Sequence, residues 1–122
     1  VVKFGEREMA LARGVVERTL DGLPEEIGRP VETISIFVED SPDADDLAIG
    51  IGRDWLGIFE GAAYGDLGRI DPPRIRIWCR NVWHFASGRE EDFLAEVRVT
   101  LLHEIAHFLG MDEADVAARG LE

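Results

Sequence analysis

The apolar residues of the first segment, Phe4, Leu11, Ala12, Val15, Val16 and Leu20, recur at three- and four-residue steps, with Glu6, Arg7, Glu17 and Arg18 on other faces. This period predicts an amphipathic helix from Phe4 to Leu20, ended by Gly22 and Pro24. Between Thr33 and Glu39 the pattern becomes an alternation, Ile34, Ile36 and Val38 against Ser35, Phe37 and Glu39, which predicts a strand with one face on the core. The run from Asp40 to Asp46 reads as a solvated, turn-rich acidic loop, because it lacks the Asp-x-Asp-x-Asp-Gly spacing of a calcium loop. Trp55 to Gly61 predicts a short edge strand, in which Gly57 marks either a backbone that something must approach closely or only a bulge or close packing. After the break at Asp71-Pro72-Pro73, the segment Arg74 to Cys79 alternates again and turns Ile75, Ile77 and Cys79 toward the core. His84 falls in a loop by this reading. A continuous helix is expected from Ser87 to Leu109, with Ser87-Gly88-Arg89-Glu90 as a capping box and Phe93, Leu94, Val97, Leu101, Ile105 and Phe108 as its apolar stripe. A short terminal helix is expected from Asp112 to Arg119.

The long last helix carries His103-Glu104-Ile105-Ala106-His107, the His-Glu-x-x-His signature of zinc proteases. An α-helix turns about 100° per residue, so His103 and His107 lie about 40° apart and one turn along, where both imidazoles reach one zinc ion. Glu104 is rotated about 100° from His103, which suits a carboxylate acting as general base on a water at the metal. Gly110, three residues after His107, is a left-handed helix terminator that reverses the chain. Glu113 follows at a spacing where a third ligand closes the site. Asp112 as a helix cap, and Asp115 or Glu113 as first-turn residues favoured by the helix dipole, are the alternatives at this corner.

The 122 residues make one domain's worth of chain, taken as a single domain over 1–122. With 25 acidic against 13 basic residues the formal charge is −12, which repels phosphate backbones and anionic lipid. Neither nucleic acid nor a membrane is an expected partner, and no apolar run approaches the roughly 20 residues of a bilayer span. The lone cysteine, Cys79, has no metal-ligand or redox spacing around it and reads as a small buried hydrophobe, consistent with a cytoplasmic protein.

Taken together, the opening helix ending in Leu23-Pro24-Glu25-Glu26, the strand ending in Val38-Glu39-Asp40, the segment Leu56 to Gly61 and the block Leu101 to Glu113 resemble the minimal zincin-like metallopeptidases. These are small bacterial single-domain proteins also called mini-zincins, and the similarity runs from Phe4 through Leu121. The resemblance implies an α/β (α+β) zincin-like fold, a small mixed sheet packed against an N-terminal helix and an active-site helix. It implies zinc as cofactor, His103, His107 and Glu113 as metal ligands, Glu104 as the catalytic base, and a peptide as substrate. The chain differs from the metzincins, which place a histidine where Glu113 stands and follow it with a methionine turn; Met111 lies too close to Gly110 to serve as one. The expected activity is zinc-dependent peptide hydrolysis, the alternative being a metal-binding or interaction module with little turnover. A metal-dependent RNA endonuclease also pairs histidines near a glycine, but has glycine where Glu104 stands, and the charge of −12 opposes RNA.

Overall fold

The computed structural model describes residues 4–66, 68, 70–112 and 114. Among them are five helices and a three-stranded mixed sheet: α1 (Glu6–Asp21), α2 (Glu25–Val31), β1 (Ser35–Glu39), α3 (Ala44–Ala48), β2 (Gly57–Glu60), β3 (Arg74–Trp78), α4 (Cys79–Phe85) and α5 (Glu90–Phe108). The strand order is β1-β3-β2, so the last strand in sequence is the central one. It pairs parallel with β1, Ile36 beside Ile75, and antiparallel with β2, Phe59 beside Ile75. Among the described residues β2 is an edge, as its sequence predicts.

Alternation along β3 sorts the sheet into two faces. Ile75 and Ile77 turn into a core that they share with Ala12, Val15 and Val16 of α1 and with Phe93, Val97, Leu101 and Ile105 of α5. Truncating a side chain as enclosed as Leu101 to alanine costs about 2–5 kcal/mol in such a core. At the far end of α5, Phe4, Trp83 and Phe93 meet edge to face or tilted, with centroids 5.2–6.4 Å apart, and lock the entry of α1 to α4 and α5.

The opposite face is covered as well. Arg76 is buried, and its guanidinium forks onto Asp46 of α3 at 2.7 and 2.8 Å and onto Glu39 of β1 at 2.8 and 3.1 Å, with Glu60 of β2 at 3.5 Å. One cation thereby ties all three strands to α3. The run Asp40 to Asp46 is accordingly not a solvated loop throughout: Asp43 and Asp46 form a reciprocal capping box that starts α3, and Asp46 is buried against Arg76. Hydrogen bonds from Arg76 and from the Asp43 backbone hold the Asp46 carboxyl down at about 2, against an ordinary 3.8.

Three further boundaries differ from the sequence reading. α1 ends at Asp21 with Gly22 as its C-cap, as expected, but Pro24 also opens a helix the sequence reading lacks: it is the N-cap of α2, whose first turn carries Glu25 and Glu26 at the positive end of the helix dipole. Cys79 opens α4 rather than closing a strand, and the burial of Cys79, Val82, Trp83 and Ala86 follows a helical repeat. Its thiol is buried as expected, and desolvation pushes it up to about 12. His84 therefore lies on a helix, exposed. The motif helix starts at Glu90, not Ser87, because Ser87 and Gly88 both take left-handed conformations, φ 57° and 69°, in the turn that closes α4. No side chain caps α5, but Glu90, Glu91 and Asp92 supply negative charge to its first turn. The terminal helix expected from Asp112 to Arg119 lies, apart from Asp112 and Ala114, outside the described residues.

Candidate metal site and its cleft

Helix α5 buries Phe93, Val97, Leu101, Ile105 and Phe108 and holds His103, Glu104 and His107 half-exposed at the border of that stripe. The Nε2 atoms of His103 and His107 converge to 3.1 Å, with ring planes 71° apart. Two nitrogens at that separation, each about 2.0–2.1 Å from a shared ion, subtend an angle of about 100° at it, close to tetrahedral. The pair therefore fits one metal ion.

The second ring nitrogen of His107 has its own anchor. Nδ1 lies 3.0 Å from the Met111 carbonyl oxygen, and since a carbonyl only accepts, Nδ1 is the donor of this bond, which leaves Nε2 as the nitrogen available to a metal. Gly110 makes this possible: at φ 87° it reverses the chain, the Met111 amide donates back to the Ala106 carbonyl at 3.0 Å, and the Met111 carbonyl is left facing His107. The sequence announces Gly110 as a terminator but not this bond, which is made by a backbone atom. The last turn of α5 is fastened further by the Tyr64 amide, which donates to the Phe108 carbonyl at 2.8 Å.

Glu104 points toward β2. A Cβ built on Gly57 would lie 2.9 Å from Thr100 Cγ2, 3.0 Å from the Arg76 carbonyl and 3.7 Å from Glu104 Cγ, so strand and helix pack too closely for a side chain there. Of the readings left open for Gly57, close packing within the protein is the one found. Alongside runs a cleft of about 790 Å³ lined by His103, Glu104 and Thr100 of α5 and by Trp55 and Phe85 across from them.

Glu113 lies outside the described residues. Among the described residues no three His, Cys, Asp or Glu side chains group as a metal site, which leaves the histidine pair with Glu104 beside it as the assembled part. Also among the described residues, no helix is long and apolar enough to cross a membrane.

The family model for zincin-like metallopeptidases matches residues 31–121. The chain belongs to that family. The match covers β1 through α5, so the zincin-like part holds the whole sheet and the histidine helix, while α1, which covers the sheet's inner face, precedes it. No curated protein matches the chain.

Proposed function

We propose that this zincin-like protein is a zinc-dependent peptidase in which His103, His107 and Glu113 hold the metal and Glu104 is the general base. What supports the reading most directly is the convergence of the two Nε2 atoms at 3.1 Å with His107 anchored through Nδ1, inside a chain of the metallopeptidase family. Zinc bound there supplies Lewis-acid polarisation of the scissile carbonyl and a water acidified toward a pKa of about 7.

The protein's own residues do the rest. Glu104, one helix position from His103 and at the wall of the cleft, accepts the proton of the attacking water on its carboxylate and passes it to the departing amine. His107 keeps its Nδ1 proton on the Met111 carbonyl throughout, so its ring neither rotates nor changes tautomer. The edge strand β2 offers its backbone to an extended peptide lying across the cleft. The charge of −12 disfavours nucleic acid as a substrate, and the single buried thiol suits a reducing cytoplasm.

The test is metal analysis of the purified protein followed by digestion of a mixed peptide library with and without chelator. About one zinc per chain and chelator-sensitive cleavage are expected. Stoichiometric zinc without cleavage of any peptide would instead leave a metal-binding module on a zincin-like fold.

A further inference from the structure

The cleft beside Glu104 carries two carboxylates that the chemistry does not use. Glu96 lies on α5 eight residues before Glu104, about 12 Å along the helix axis, and Asp54 stands across the cleft in the loop before β2. Among the described residues neither forms an ion pair or a hydrogen bond. The same cleft is lined by two exposed aromatic rings: Trp55 is 44% and Phe85 63% exposed.

These walls are held in place. Asn81 of α4 donates its side-chain amide to the carbonyls of Arg53 at 2.9 Å and Trp55 at 2.8 Å, and the Trp78 amide donates to the Leu56 carbonyl at 2.8 Å. The Trp55 indole rests against Gly52, where a Cβ would collide with it. A rigid loop that leaves a tryptophan and a carboxylate open to a catalytic cleft is built for a ligand with an apolar stem and a positive end.

We infer that this cleft selects peptides with an arginine or lysine within two positions of the cleaved bond, its stem against Trp55 and Phe85 and its cation between Asp54 and Glu96. An extended peptide advances about 3.3 Å per residue, so a long side chain from such a position spans the distance between the histidines and Glu96. The net charge of −12 also concentrates cationic peptides around the protein. This inference rests on the peptidase reading for its substrate class, but its recognition step is separable from hydrolysis.

The experiment compares peptides identical except for arginine or citrulline, its uncharged isostere, at each position near the cleaved bond. It reads kcat/KM with the zinc-loaded wild type and, separately, binding by fluorescence anisotropy to zinc-loaded Glu104→Gln. Arginine is expected to win by about tenfold in both, and the ratio should fall toward one when Asp54→Asn and Glu96→Gln are combined. Binding that prefers arginine without any cleavage would keep this inference and remove the peptidase reading. Cleavage or binding indifferent to citrulline, or a preference that survives the double substitution, would overturn it.

Discussion

His107 Nδ1 and the Met111 carbonyl oxygen stand 3.0 Å apart, and only the left-handed turn at Gly110 lets the chain bring them together. A Cβ at Gly110 would meet nothing within 4 Å, so Gly110→Ala tests backbone conformation without a steric clash. The variant is expected to lose about 1–2 kcal/mol of stability. If the carbonyl shifts away, zinc affinity should fall at least about tenfold, the usual loss for a missing outer partner of a ligating histidine. Thermal denaturation and competition against a chromophoric chelator measure the two effects. An unchanged zinc affinity at reduced stability would show that the Met111 bond does not tune the ligand.

Glu104→Gln keeps the shape of the side chain but cannot take a proton. On the proposed mechanism the peptidase rate drops about 10²- to 10⁴-fold while the zinc content stays at one per chain. His103→Ala and His107→Ala should each lose stoichiometric zinc. Loss of metal in Glu104→Gln would make that carboxylate a ligand or a structural group instead.

The Asp46–Arg76 fork predicts an acid limb of stability. The folded Asp46 carboxyl is depressed to about 2, below its ordinary 3.8. Its stabilising contribution is therefore complete above about pH 4 and is lost as pH falls from there toward 2. Asp46→Asn should lower Tm at neutral pH, because Arg76 stays buried with a weaker partner, and should flatten the dependence of Tm on pH below 4. Equal acid limbs in the variant and the wild type would assign acid sensitivity to other carboxylates.

At Gly57 the obstacle to a side chain is divided between Thr100 Cγ2 and the Arg76 carbonyl. Gly57→Ala should destabilise by about 1–3 kcal/mol through overpacking. Thr100→Ser removes the methyl that makes the closer contact, so the double variant should lose less than the sum of the two single changes. Strict additivity, read from urea denaturation, would place the strain on the β3 backbone alone.

How legible all this was in the sequence depended on whether the information sat in side-chain period or in tertiary pairing. The stripe from Phe93 to Phe108 and the one-turn spacing of His103 and His107 are periodic and emerged where expected, as did the turn at Gly110. Ile75 and Ile77 were readable for the same reason. Arg76 was not: in a central strand its face is covered too, and its burial depends on Glu39 and Asp46, 37 and 30 residues distant. The short helices α2, α3 and α4 span only five to seven residues, too few for a period to stand out. The helical spacing of Cys79, Val82, Trp83 and Ala86 was nevertheless a signal, hidden by the alternation of β3 running straight into it.

The third ligand is the remaining part of the proposed metal site. Met111 leaves the reversed turn with its carbonyl against His107, and Asp112 follows it, exposed. Glu113 is next in the chain, at the spacing that the resemblance assigns to the third ligand, and a carboxylate oxygen binds zinc at about 2.0–2.2 Å. Glu113→Ala should therefore weaken zinc binding substantially and reduce cleavage with it. Asp112→Ala, one residue nearer the turn, should keep the zinc and at most lower Tm. Asp115→Ala serves as the control for the loss of a neighbouring negative charge. Zinc titrations of the three variants separate the cases: if Asp112→Ala or Asp115→Ala releases the metal while Glu113→Ala retains it, a different carboxylate completes the site.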